Sequence, residues 1–351
     1  MIDNESTRME SEVQGLSEIL KNYIVIRDLS EKEEPSQWTK SQFAIDTRTN
    51  EKVLISKLDP IKFKVYYSVI PQSGLQTDEE REEIRKKAQE KYESELRGFV
   101  ERYKKVAGLS HPNIAKVIDV GIDQNKEAIV VTEKVEGVPI FDATDGMSIL
   151  GMIPIFLDIL QALNFIHSKD MLHLNLKSSR ILVKADYPSQ TKLTDYGYAI
   201  DTGNIPDRRY GSATTAAPEV LMGEIEKIGE TADLYSFAVI AYYCMCRNVA
   251  FKARGGISDI LKLRDIVKNE HEPMYPSKIN TLMLQKECDK ESAGKIQKLE
   301  GIIMDELKPN PDDRPVKTAR ELAKKISELF QDELNKKKFG DTTTSKSLSS
   351  L

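Results

Sequence analysis

The period of the apolar residues in this 351-residue chain limits its fold more than any other feature. Up to about residue 132 they fall in short, alternating or continuous runs interrupted by one helical stretch; beyond residue 149 they recur mainly every three to four positions. The runs at 23–27, 42–46 and 53–57 read as strands, with a polar hairpin turn at 46–50. The runs at 114–120 and 128–132 read as two more. Between these groups Thr77 and Glu80 have the spacing of a capping box. Ile84, Ala88, Tyr92, Leu96, Phe99, Tyr103 and Val106 then form one apolar stripe on a highly charged rod, which Gly98 is expected to break or bend. Helical patterns follow at 149–167 and from about 220 to 334, with brief strand signals only at 181–183 and 192–194. Strands grouped ahead of helices predict an α+β architecture.

Charge and cysteine content remove several function classes. Lys and Arg number 51 against 56 Asp and Glu, a net charge of −5. That balance argues against general attraction to nucleic acid or an anionic membrane. The apolar run at 237–246 is ten residues, too short to cross a bilayer. The first residues lack a basic flank and apolar stretch, so no signal peptide is expected. Cys244, Cys246 and Cys288 lack metal-type spacing. These features predict a cytoplasmic, reduced protein with no nucleic-acid or membrane partner. Residues 1–20 read as an N-terminal extension, and residues 336–351, basic and then rich in Ser and Thr, as a disordered tail.

Three separated stretches carry the chemistry. The first spans 172–183 and contains His173, Asn175, Lys177 and Arg180. The second is Asp195-Tyr196-Gly197. The third holds Ala217-Pro218-Glu219, then Asp233, then Asn310 to Pro315 with Arg314. In order and spacing they resemble the protein kinase family, whose catalytic loop, Asp-Phe-Gly and Ala-Pro-Glu motifs they match. The resemblance covers about residues 23–330 and implies a bilobal kinase-like domain over 21–335. Its five-stranded small lobe with one long helix would run to about 134, and its mainly helical large lobe from about 135.

The resemblance also implies roles. Lys57 looks like the strand-three lysine that grips the ATP phosphates, with Glu101 as its helix partner and Glu95 as the alternative. Strand parity places Ile55 in the roof over adenine. Leu29 lies above the ring, Leu182 below it, Thr132 at the gatekeeper position and Glu133 to Val135 in the hinge. Glu219 and Arg314 resemble a buried ion pair, and Asp195 the main Mg²⁺ ligand.

Phosphoryl transfer needs a glycine-rich flap, a lysine, two metal ligands and a carboxylate base. Four departures from that set stand out. The segment 30–41 has no glycine and carries Glu31, Glu33 and Glu34. Asn175 stands at the base position, and an amide cannot take a proton at neutral pH. Arg180 replaces the second metal ligand; it has no lone pair to offer and is expected on the surface, with a reach to Asp195 or a phosphate in the metal's place as the alternative. Ile55 crowds the adenine roof. Lys177, which contacts the transferring phosphate in the family, is kept.

These features predict an impaired kinase, a pseudokinase that scaffolds or allosterically regulates a protein partner such as an active kinase or signalling protein. ATP would bind weakly and Mg²⁺ incompletely. An active Ser/Thr kinase with a displaced base and an ATP-binding sensor are the alternatives. In the activation segment Tyr210, Ser212, Thr214 and Thr215 are candidate phosphate acceptors, and Ser212 holds the position whose hydroxyl meets the catalytic aspartate in the family. Leu174, in place of the phosphate-receiving arginine, removes the usual way of ordering that segment.

Overall fold

The computed structural model describes residues 20–29, 39–59, 77–122, 127–184, 190–196, 199–202, 212, 214–247 and 290–335. The acidic flap, most of the N-terminal extension, Tyr210 and the tail lie outside these residues, and so do the expectations about them.

The described chain divides into two compact units. The first takes in residues up to 111, then 115–135 and 195–197. Its five strands are β1 (Tyr23–Asp28), β2 (Thr39–Asp46), β3 (Glu51–Leu58), β4 (Val117–Ile122) and β5 (Ala128–Glu133). They form one antiparallel sheet in the order β1-β2-β3-β5-β4. The 46–50 turn closes as expected, with Asn50 in the left-handed region at φ 60°. Arg48 in that turn ties the sheet across its width: Nη2 pairs with Asp46 at 2.7 Å and Asp119 at 3.0 Å, and Tyr23 also bonds Asp119. The guanidinium beside Asp46 holds that carboxyl below its usual range. Edge strand β1 leaves Ile24, Val25 and Ile26 exposed.

Helix α1 (Asp78–Ala107) begins at the expected capping box: Thr77 Oγ1 accepts from Glu80 N, and Glu80 Oε2 accepts from Thr77 N at 2.9 Å. Its apolar stripe from Ala88 to Val106 is buried. Gly98 does not interrupt the helix. A Cβ there would lie 2.7 Å from Arg102 Nη1, so the bare backbone lets the Arg102 side chain lie back along the helix to bond Glu95.

The second unit holds residues 112–114 and 136–194 and most of the chain beyond 198. In order come β6 (Val138–Pro139), α2 (Ile140–Ala143), α3 (Ile149–His167), β7 (Met171–Leu172), β8 (Ile181–Val183), β9 (Thr191–Leu193) and β10 (Ile200–Asp201). Among the described residues, helices α4 (Pro218–Met222), α5 (Glu230–Cys246), α6 (Lys290–Glu306) and α7 (Ala319–Leu329) follow. Helix α3 is the one described helix long and apolar enough to cross a membrane by length and composition. Ten of its residues, Met152 to His167, are buried, and it packs against α5 and α7. Ile114, expected inside a strand, makes only an isolated bridge to Leu193.

Candidate functional site

The second unit builds the catalytic-loop segment on a buried acid. Asp233, in the first turn of α5, is fully buried and accepts from His173 N and Leu174 N, each at 2.8 Å. These bonds hold Leu174 in the left-handed region at φ 50°. On its other side Asp233 meets His167 Nε2 at 2.9 Å, and Glu230 faces His167 Nδ1 at 3.2 Å. Burial alone would push the His167 pKa down, but the two carboxylates outweigh it and hold it up at about 9. Burial likewise opposes ionisation of Asp233, yet the bond to His167 keeps its pKa low.

Asn175 follows in the same loop, buried, with its N–H donated to His173 Nδ1 at 3.3 Å. Lys177 is half-buried. Arg180 corrects the sequence expectation: it is not a surface arginine but 3 % exposed. Its Nη1 donates to Asn175 O at 3.0 Å, and its own carbonyl accepts from Thr194 N at 2.9 Å. A guanidinium here can hold the loop's backbone but cannot ligate a cation.

The activation-segment hydroxyls also depart from expectation. Ser212 Oγ pairs with Thr214 Oγ1 at 2.9 Å, while Thr215 bonds Leu176 O in the catalytic loop. Thr214 is exposed and Thr215 buried, so these two candidate acceptors are not equivalent.

Beyond them Glu219 and Arg314 form the expected pair, with parallel contacts of 2.7 and 2.8 Å and exposures of 1 % and 0 %. Arg314 also donates to Lys308 O, Thr231 O and Pro309 O and lies over the Tyr235 ring at 4.9 Å. Sequence reasoning missed Glu306, which ends α6 fully buried. Burial pushes its carboxyl up to about 7, and its Oε1 accepts from Val316 N at 3.2 Å. On paper it is one more helix charge; the register that buries Ile303 and Leu307 is what carries it inward.

The first unit carries the remaining candidates. Asp195 sits at φ 60°, and its Oδ1 accepts from Tyr103 OH at 3.1 Å. Tyr103 also packs edge-on against buried Tyr196, with ring centres 6.5 Å apart, and on Phe99 at 4.8 Å. Sequence reading placed Tyr103 in the apolar stripe and missed this contact. Tyr103→Phe should lower unfolding stability by about 1–2 kcal/mol in denaturant titration while keeping the ring contacts.

The expected lysine partner is corrected. Glu101 projects outward, its side chain 63 % exposed, and pairs with Lys104 at 3.6 Å. The alternative, Glu95, is held by Arg102. One turn N-terminal to Tyr103 the helix presents Phe99, so its buried face carries no carboxylate there. Lys57 instead pairs with Glu127 at 3.5 Å.

Ile55 is corrected as well. It does not stand open over a ring but is 1 % exposed in a core cluster with Tyr23, Ala44, Val53, Ile129 and Val131. Leu29, Thr132, Glu133 and Val135 are half-buried at strand ends, and Glu133 bonds Lys116 N at 2.8 Å. Leu182, half-buried in β8, belongs with Asn175 and Lys177 in the second unit. Among the described residues no group of three or more His, Cys, Asp or Glu side chains converges as a metal site.

Comparison with known proteins decides the family, because the protein kinase domain matches residues 75–328, well over half of the chain. The chain belongs to the protein kinase family. The match starts after β3, leaving out the strands where the phosphate-gripping elements would lie. This kinase domain is similar to the probable serine/threonine-protein kinase MARK-C of Dictyostelium discoideum, 30 % identical over 48 % of this chain and 22 % of that protein. It is 31 % identical to the carbon catabolite-derepressing protein kinase of Saccharomyces cerevisiae over 45 % of this chain and 25 % of that one. It is also 30 % identical to the receptor-type guanylate cyclase gcy-5 of Caenorhabditis elegans, over 65 % of this chain and 20 % of that protein. The matched segment therefore spans a quarter or less of these relatives.

Proposed function

We propose that this kinase-family chain is catalytically impaired and acts through protein–protein contacts, as a scaffold or allosteric regulator of a partner such as an active kinase or another signalling protein. The observation that carries the reading is the catalytic loop. Asp233 fixes its backbone and Arg180 braces it, yet an amide, Asn175, stands where a base is required. General-base assistance is typically worth about 10²–10⁴-fold, so its loss cripples turnover. The metal set also fits poorly. Of the two ligand positions only Asp195 keeps a carboxylate, and Arg180 gives its Nη1 to Asn175 O in the loop. Nucleotide binding would accordingly be weak and largely metal-independent. One relative is named for a guanylate cyclase rather than a kinase, so a segment like this one occurs in a protein named for another chemistry. Its mildly acidic balance, a net charge of −5, supports a protein without nucleic-acid or anionic-membrane partners.

A second reading, an active Ser/Thr kinase, is favoured by Asp195, Lys177 and the kinase names of two relatives. Transfer of labelled γ-phosphate to a generic Ser/Thr peptide separates the two. Impairment predicts incorporation at background level with Mg²⁺ or Mn²⁺. Metal-dependent transfer that disappears in Asp195→Asn would overturn it. Thermal shift with ATP, with and without Mg²⁺, adds a binding readout: a metal-free shift marks a sensor, and a metal-dependent one an enzyme.

A further inference from the structure

Strand register splits the residues that the family resemblance gathers around ATP. Lys57 pairs with Ile129 and Ile55 with Val131, whereas Leu54 pairs with Thr132 and Ser56 with Val130. Partners across a ladder share a face of the sheet, and neighbours along a strand do not. Ile55 and Lys57 therefore lie on the face opposite to Thr132. Leu54 and Ser56 lie on the same face as Thr132, joined by the two-residue offset that joins Ile55 to Lys57.

The two faces differ in what they can receive. The Ile55 face is sealed: Ala44 and Val53 are 0 % exposed, Val131 0 % and Ile55 1 %. Leu20 and Ile118 pack against this cluster, and no residue of α1 belongs to it. At its end the Lys57 ammonium meets Glu127. The other face stays partly open, since Phe43, Leu54 and Thr132 are only half-buried. Deeper on that face Ser41 Oγ and Ser56 Oγ form a buried pair at 3.0 Å.

We propose that the face presenting Leu54, Ser56 and Thr132 is the nucleotide side of this sheet. Ser56 then holds the phosphate-gripping position, and Lys57 has no part in binding. The proposal rests on the nucleotide site assumed under the proposed function and deepens it. A serine hydroxyl donates one hydrogen bond but brings no charge, so a triphosphate meets no lysine from β3. Leu54, two residues earlier, supplies the bulk over the adenine ring.

Adenosine bearing a 5′-sulfonyl fluoride, which sulfonylates a lysine or cysteine beside the phosphate end of its site, tests this on the full chain. Mass spectrometry should find Lys57 unmodified above the level of surface lysines, with no protection by ATP. Ser56→Lys should gain ATP-protected labelling at position 56 and at least tenfold tighter ATP binding by thermal shift. If the buried lysine prevents folding, Ser56→Cys should show the same protected labelling. ATP-protected labelling of Lys57 would overturn the proposal, and so would a folded position-56 variant that stays unlabelled. The outcome is separable from catalysis: phosphate transfer by the wild type with Lys57 unlabelled would defeat the impaired-kinase reading and leave this assignment standing.

Discussion

Arg314→Ala should destabilise the second unit by about 3–5 kcal/mol, the range expected when one member of a buried pair is removed. The Glu219 carboxylate, 1 % exposed, would be left without its bidentate partner. Lys308 O, Thr231 O and Pro309 O would each lose a donor at the same time. Urea titration followed by tryptophan-independent far-UV signal reads the change directly. Glu219→Gln keeps the shape and one acceptor but removes the counter-charge; it should cost less, because the carbonyl bonds of Arg314 and its packing on Tyr235 survive. Equal losses for the two variants would mean that charge alone, rather than those bonds and that packing, holds this brace.

Stability should also decline in two steps as pH rises from 4.5 to 9. The Glu306 carboxyl titrates at about 7 in the folded chain against 4.5 when exposed. Between those values the unfolded state binds fewer protons than the folded one, so stability is full below 4.5 and falls as pH approaches 7. His167 shifts from 6.5 to about 9. Its contribution is complete below 6.5 and is lost as pH rises through 9. Each step is on the order of 2–3 kcal/mol. Glu306→Gln keeps the acceptor for Val316 N and should flatten only the lower limb; His167→Gln should flatten only the upper. A profile indifferent to both substitutions would show that neither group titrates as its surroundings imply.

The sequence displays some of this architecture and hides the rest for physical reasons. The Thr77–Glu80 capping box, the hairpin at 46–50 and the Glu219–Arg314 pair are local or charge-specific signals, and all three are present. Orientation on β3 is different. Val53, Leu54 and Ile55 are all apolar, so the run has no alternation to show which side faces the core. Only the pairing with β5 decides it, and that pairing is a property of two distant segments. The helix partner failed for a similar reason: α1 offers many acids, and their directions depend on where the apolar stripe docks. Gly98 read as a breaker because its use, a lane for the Arg102 side chain, is a contact and not a propensity. Tyr103 was visible as a core residue, but its hydroxyl's reach to Asp195 spans 92 positions and leaves no local trace.

Thr214 and Thr215 are sequence neighbours with opposite accessibility. A modifying enzyme can reach the first in the folded protein, but it reaches the second only after the bond to Leu176 O breaks and the segment peels off the loop. A phosphate found on Thr215 would thus serve as a timestamp, marking molecules that had been pried open, whether by a partner or by thermal breathing, before the enzyme arrived.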